Sequence, residues 1–477
     1  MSKYIYILSV IVIGMFSSCS DDDTFSTSWS NRLTMACDTV SFDTVFSAIP
    51  TSAKSFWVYN NSSDGIRCSN VRLARGNQSG FRVNVDGVYL GPESGYKTTN
   101  LEIRKGDSIR VFVELTTPRN NSDEMQYRSD NLVFTLESGA TQQVLLDAWS
   151  WDADTVHTLR INADTTISTQ LRPLIVFDSI VVAPSARLTI EKGSTIYFHD
   201  KAGINVHGSL LCQGDSTANI TLRGYRLDNM FDYLPYDMTP GRWKGIHFAE
   251  ESYDNVIDYT DIHSAFDGIV CDSSDISRTK LTLSNSIIHN CQGYGLLTMS
   301  NKLVLENCQI TNTLRDCVAV YGGDVSMLHC TLAQFYPFDA RRGDALFFTN
   351  WYNNHEAPLT AMSVINSIIT GYADDVLMGV PAPANDSTEI AFNYYLGYSL
   401  VRTPEIDDTL HCKGNIWEVE DSLGSRHFVK IDSDMQRYDF HLDSISPARG
   451  AANPALALPT NRDGLIRDPE HPDMGCY

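Results

Sequence analysis

The segment Asp339-Ala-Arg-Arg-Gly-Asp344 sets two guanidinium groups between two carboxylates in an otherwise acidic chain, and Phe335, Tyr336, Phe338, Phe347, Phe348, Trp351 and Tyr352 surround it. Aromatic faces stack on sugar rings and arginines pair with carboxylates. Asp339, Arg341, Arg342, Asp344, Trp351 and Tyr352 are therefore the candidate ligand-binding residues. The competing reading is a packed flap whose arginines bridge to local aspartates, a surface pairing that contributes little. His263 and His289 each follow an isoleucine, and Asp261 and Asp267 lie nearby. Stacked on one face they would form a metal or acid/base patch. They lack a third ligand at a regular spacing, and no CxxC or Cys/His metal motif occurs. No metal site or cofactor is assigned on this basis; calcium on clustered carboxylates is the one cation the acidic composition allows. Asp374-Asp375 reads as a polar corner.

The scaffold for these groups is legible as a repeat. Tyr259-Thr-Asp-Ile-His263, Asn285-Ser-Ile-Ile-His289, Asn307-Cys-Gln-Ile-Thr311, His329-Cys-Thr-Leu-Ala333 and Asn366-Ser-Ile-Ile-Thr370 are versions of one segment. Asn285, Asn307 and His329 are spaced 22 residues apart, whereas Asn366 follows His329 by 37, so the Asp339–Tyr352 region is an insertion. A short period rich in β-branched residues indicates stacked coils. Asparagine tolerates a left-handed backbone and can hydrogen-bond along a stack, which gives the recurrent asparagines a structural role at corners. Cys308 and Cys330 share a register position and are expected to be buried thiols, since a disulfide between adjacent strands has awkward geometry.

The first residues read as targeting. Tyr4 to Phe16 is an apolar run behind Lys3, too short for a membrane span and suited to a signal-peptide core. Ser17-Ser18-Cys19 follows and resembles a bacterial lipoprotein processing site, which implies lipidation at Cys19 and attachment to a membrane. Ser20-Asp21-Asp22-Asp23 resembles the export signal of Bacteroides-type surface lipoproteins, which implies an outer-membrane, cell-surface location; a solvated tether is the plainer reading.

The 477 residues imply more than one domain, and a hydrophobic content of 43% implies packed cores. The expected division is a signal peptide over 1–18, an acidic and Ser-rich tether over 19–36 and a β-sandwich over 37–150. A solenoid over 151–437 and a closing segment over 438–477 complete it. Alternating strands such as Phe81-Arg-Val-Asn-Val85 and Ser108-Ile-Arg-Val-Phe-Val-Glu-Leu115 support the sandwich. Its pattern, with Lys54-Ser-Phe-Trp-Val-Tyr-Asn-Asn61, resembles bacterial immunoglobulin-like domains. Trp149 and Trp151 at its end read as packing residues. The stretch Ala186–Phe198, Gly203–Leu211 and Asn219–Leu222, continued by the repeats, resembles right-handed parallel β-helix proteins. The tail, with Ser446-Pro-Ala448, Asn461-Arg-Asp-Gly464 and Asp473-Met-Gly-Cys-Tyr477, is similar to the closing segment of many bacterial surface β-helix proteins. Such a segment is expected to cap the last coil. The fold class is all-β: a right-handed parallel β-helix preceded by an immunoglobulin-like sandwich.

A net charge of −22 argues against a nucleic-acid partner. β-Helix hydrolases place aspartates on neighbouring coils and pair a double aspartate with Asn-x-Asp, Gly-His-Gly and Arg-x-Lys motifs. Asp374-Asp375 has none of these companions. The leading expectation is a surface lipoprotein whose β-helix binds or displays, with a glycan as the ligand class and no catalysis. The alternative is a polysaccharide lyase or glycoside hydrolase with a groove near 335–352. A structural stalk or assembly component is the third.

Overall fold

The computed structural model describes residues 24–383, 390–418 and 424–477. Cys19 and the acidic run after it lie outside the described residues. The chain divides into two compact units after Asp152.

In the first unit, strands alternate buried and exposed residues, as along Ser108–Leu115. That period of two buries one face of each strand. Among the described residues it forms a five-stranded sheet in which Ser108–Leu115 lies between Lys54–Tyr59 and Phe81–Val85. A six-stranded sheet is built around Thr141–Trp151 and Gln126–Leu136. Phe56, Val58, Val83, Val111, Val113, Phe134 and Val144 share one apolar core between them. Trp151 stacks on Phe46 at 6.1 Å. Trp149 is half-exposed beside Tyr127.

The second unit winds into coils whose strands pair in parallel with the coil before and after, giving one continuous 26-stranded sheet among the described residues. Each full coil contributes to three faces. The first face stacks Ile269–Cys271, the starts of Leu296–Glu306 and Val318–Leu328, then Leu346–Thr349 and Leu377–Val380. The second contains Thr279–Ser284 and the later halves of the two long strands. The third stacks Thr260–His263, Ile287–Cys291, Gln309–Thr313, Thr331–Gln334 and Ile368–Gly371. Inward columns of like residues fill the core, for example Ile262, Ile288, Ile310, Leu332 and Ile369, each fully buried.

The repeat register is the one read from sequence. Tyr259, Asn285, Asn307, His329 and Asn366 occupy the corner before the third face, all with φ between 43° and 52°. Asn307 Nδ2 donates to Asn285 Oδ1 at 3.1 Å, and Asn285 Nδ2 donates to Asp258 Oδ1 at 2.8 Å. Cys308 and Cys330 are buried free thiols directly behind this corner. Burial holds the Cys308 thiol well above its ordinary pKa, and the neighbouring Cys330 adds to the shift.

The closing segment covers more than the last coil it was expected to cap: it packs on Leu400 and Ile416 there and on earlier coils as well. It runs back along the flank of the stack. Arg462 Nη2 donates to Asn219 Oδ1, Arg467 Nη2 to Asn307 Oδ1 and Asn453 N–H to Asn366 Oδ1. Phe428 and Phe440 of the Phe428–Asp432 and Arg437–Leu442 hairpin pack on Ala333, Phe335 and Ile368. The segment therefore covers the outer side of the third face. At the later coils the outward residues it covers include Ala333, Ile368 and Leu400, so covering them removes apolar surface from water.

Candidate functional site

The insertion that breaks the repeat is split by the strand Leu346–Thr349, which takes its place in the first face between Val318–Tyr321 and Leu377–Val380. Residues before that strand form a loop at one end of the face. Residues after it form a hairpin at the other, with Trp351 paired to Glu356 and Tyr352 to His355. The six candidate residues do not converge on one groove. At about 3.3 Å per residue, a four-residue strand keeps the Asp339–Asp344 loop and the Trp351–Tyr352 hairpin roughly 13 Å apart.

The loop itself is divided. Arg341 is 91% exposed and contacts Asp339 at 3.5 Å. Arg342 turns inward: its Nη1 donates to the Tyr336 carbonyl and its guanidinium lies 4.9 Å from the centre of the Tyr372 ring. Phe335 and Tyr336 are buried, so this half of the insertion is a packed flap. Asp344 reaches the face.

Asp344 belongs to a column that runs along the corner before the first face. Ile269, Leu296, Val318, Leu346 and Leu377 are stacked partners, and two positions before each stand Asp267, Tyr294, Asp316, Asp344 and Asp375. Backbone bonds confirm the stacking: Gly268 N–H donates to the Tyr294 carbonyl, Gly295 N–H to that of Asp316 and Cys317 N–H to that of Asp344. Two of the carboxylates serve the corner directly. Asp267 Oδ1 accepts from Tyr294 N–H and Asp316 Oδ1 from Asp344 N–H, both at 2.8 Å. Burial pushes Asp316 up to about 6 despite that bond, with Asp344 adding to the shift. Burial also raises Asp344, helped by Asp375, and burial raises Asp267. Arg315 donates to the Tyr294 hydroxyl at 3.3 Å and is the cation beside the column.

Beyond the column, the outward side of the first face is apolar and aromatic. Val270, Leu297, Ala319, Phe347 and Met378 form one row. Tyr321 lies beside Phe347 at 5.4 Å, and Tyr352 of the hairpin meets the Tyr321 ring edge-on at 5.0 Å. Met378 and Val380 are exposed. The arrangement is a shallow apolar floor with carboxylates along one margin and an aromatic hairpin at the other. Asp374 lies outside it, tied to buried Arg402 at 3.1 Å, so the double aspartate is a corner as expected.

The second candidate group does assemble. His263 pairs with His289 across adjacent coils of the third face, and their rings stack at 4.8 Å. Asp261 Oδ1 lies 2.9 Å from His263 Nδ1 and 3.3 Å from His289 Nε2. Burial alone would raise the Asp261 carboxyl; the two histidines outweigh it and hold it well below the usual carboxylate range. Burial opposes a charge on His289, and Asp261 nonetheless raises its pKa. Asp267 is not part of this group; it lies on the corner column. His289 lines a cleft of about 510 Å³ with Met238, Gln309, Thr311, Asn312, Arg437, Asp439, His441 and Tyr477. The cleft lies between the third face and the Arg437–Leu442 strand, with Tyr477 in its wall.

Residues 175–335 match the family described as a right handed beta helix region. Among curated proteins there is no match. Among solved structures, the chain is similar to a family 123 glycoside hydrolase from Clostridium perfringens that hydrolyses glycolipid glycans, at 11% identity and a TM-score of 0.18. That alignment covers 27% of this chain and 26% of the enzyme. It is also similar to the human CEP192 ASH / PapD-like domain, at 14% identity and a TM-score of 0.18, over 29% of this chain and 97% of the domain. The Agl-KA catalytic domain aligns at 10% identity and a TM-score of 0.17, over 73% of this chain and 80% of that domain.

Proposed function

We propose that this chain is a lipid-anchored outer-membrane surface protein whose β-helix binds a glycan on its first face without cleaving it. The observation that carries the binding role is the outward row Leu297, Phe347 and Met378 with Tyr321 and Tyr352, bordered by Asp316, Asp344 and Asp375. Sugar rings offer apolar C–H faces to aromatic rings and hydroxyls to carboxylates, so a floor of one kind with a margin of the other matches them. Anchorage is supported by the apolar run from Tyr4, by Cys19 and by the acidic residues after it. The immunoglobulin-like reading of the first unit belongs to the same proposal: two sheets over one core serve as a spacer.

The test is a glycan array and a polysaccharide panel, read with and without calcium. Binding that falls at least tenfold in Tyr352→Ala and Trp351→Ala supports the proposal. Absence of binding across the panel, or binding indifferent to both changes, overturns it. One observation favours a second reading, a glycoside hydrolase: Asp316, its carboxyl pushed up to about 6 by burial, stands beside Asp344, and a raised carboxyl with a second carboxyl group next to it is the kind of pair glycoside hydrolysis uses. Release of reducing ends that disappears in both Asp316→Asn and Asp344→Asn would select that reading.

A further inference from the structure

We infer that Asp261, His263 and His289 form a binding site for a divalent first-row transition metal of the zinc class. The inference is independent of the glycan-binding face, which lies on another side of the coil. The parallel pairing of Thr260–His263 with Ile287–Cys291 sets His263 and His289 in the same outward position on adjacent coils, and Asp261 two residues before His263 points the same way. Their donor atoms all lie within 4.8 Å of one another. An ion bound at about 2.0–2.2 Å from each ligand requires donor separations of roughly 3–4 Å. Of the two contacts of Asp261 Oδ1, the one to His289 at 3.3 Å falls in that range and the one to His263 at 2.9 Å lies just under it, and the two histidine nitrogens must draw together from as much as 4.8 Å to share an ion.

The chemistry of the set selects the metal. Two imidazoles and one carboxylate suit zinc, iron, cobalt or nickel, whereas calcium and magnesium take all-oxygen shells. Three protein ligands leave coordination positions open, and of the three His289 lines the cleft. The surroundings are polar and incompletely satisfied. Asn312, on the next coil up, lines the cleft and is 1% exposed, yet its Oδ1 has no hydrogen-bond partner. Asn290, equally buried and next to His289 in the chain, donates from Nδ2 to the Met238 carbonyl and leaves its Oδ1 without a partner. Without an ion, each neutral imidazole can donate its one N–H to Asp261 Oδ1; with an ion, each ring would take the other tautomer and offer that nitrogen's lone pair instead.

The neighbouring charges include Arg437 in the cleft wall, Arg223, one coil below His263 and paired to Asp237 at 2.8 Å, and His441 across the cleft, held between Asp439 and Asp463. His441 is already engaged with two carboxylates, so it is not counted as a ligand. Met238 and Asp237 come from the insertion before Trp243, and Tyr477 from the closing segment. The site is thus walled by two irregular segments over a rigid two-strand floor, and rigid strands hold ligands more accurately than loops do.

The experiment is titration of the chelator-stripped full chain with Zn²⁺ by calorimetry and with Co²⁺ by visible absorption. The expected result is one equivalent bound at micromolar or tighter affinity, with cobalt ligand-field bands. His263→Gln and His289→Gln should each weaken binding at least tenfold, Asp261→Asn likewise, and the exposed His157→Gln should not. Thermal melting of each variant separates loss of the site from loss of the fold. No saturable binding in the unaltered chain at 100-fold excess metal overturns the inference. So does full binding in the His263→Gln/His289→Gln double variant. Both results stand whether or not any glycan binds.

Discussion

At the scale of the residue, position within the coil decides what a side chain can do. Asparagine at Asn285, Asn307 and Asn366 combines a left-handed backbone with a two-sided amide. Each therefore turns the chain and ties its coil to a neighbouring coil or to the closing segment. Aspartate on the opposite corner acts differently. Asp316 caps the next coil by accepting from Asp344 N–H, but burial makes its charge unfavourable. Its folded pKa of about 6 lies above the unfolded value near 3.9. The stability associated with its proton is fully present below pH 4 and is lost as pH rises through about 6. Asp316→Asn keeps an acceptor for Asp344 N–H and removes the charge. It is expected to stabilise the second unit by up to about 3 kcal/mol at pH 8 and by nothing at pH 3.5. Urea denaturation at the two pH values checks this; equal effects at both would mean that the charge is not the cause.

The Asp column also shows what was readable. Asp267-Gly-Ile, Tyr294-Gly-Leu, Asp316-Cys-Val, Asp344-Ala-Leu and Asp375-Val-Leu share one pattern, a polar residue two before an aliphatic. Asp267, Asp344 and Asp375 were visible singly. The column was not, because coil lengths differ and no fixed spacing links them. Asp316 and Tyr321 were missed for the same reason. The histidine pair was legible as a pair, since each histidine follows the inward isoleucine of a recognisable repeat segment, although 26 residues separate them rather than 22.

At the scale of the element, the closing segment is the piece whose role differs most from expectation. Its contacts run along the corner asparagines and the outer third face, since that is where unsatisfied amides and small side chains await cover. Gly475 is the tightest point. Its φ is 86°, and an added Cβ would lie 2.8 Å from both Ile368 Cδ1 and Thr331 Oγ1. Its N–H donates to the Asn366 carbonyl, and its own carbonyl accepts from Arg467. Gly475→Ala therefore combines backbone strain with overpacking and is expected to cost about 2 kcal/mol or more. Faster amide hydrogen exchange over residues 453–477, with the coils themselves unchanged, is the expected signature. Uniform protection would show that the segment is not held there. The insertion after His329 is likewise two elements, a flap and a hairpin, because its middle pairs in register with the coils on both sides.

At the scale of the whole molecule, the two units have separate cores. Val111 and Val113 belong to one, Leu305 and Ile310 to the other, and all four are fully buried. Denaturation should then show two transitions. Val111→Ala should lower the first unit's stability alone, and Leu305→Ala the second's alone, by about 2–5 kcal/mol for the leucine. A single transition moved by both changes would show that the units unfold as one. Within the coil stack each rung contacts only its neighbours, so a damaged rung should loosen the coils around it first.

The amino-acid order by itself determined the coil architecture, the corner asparagines, the buried thiols and the pairing of His263 with His289. All of these follow from a local period, in which a residue's neighbours are those one repeat away. Tertiary structure alone decided three things: that the 339–352 insertion straddles a face, that carboxylates from unequal coils align into a column, and that the closing segment lies along the flank and walls a cleft beside His289. Each depends on contacts between segments with no common spacing. For those, side-chain fit and unsatisfied hydrogen bonds choose the partner, and neither is expressed in the sequence pattern.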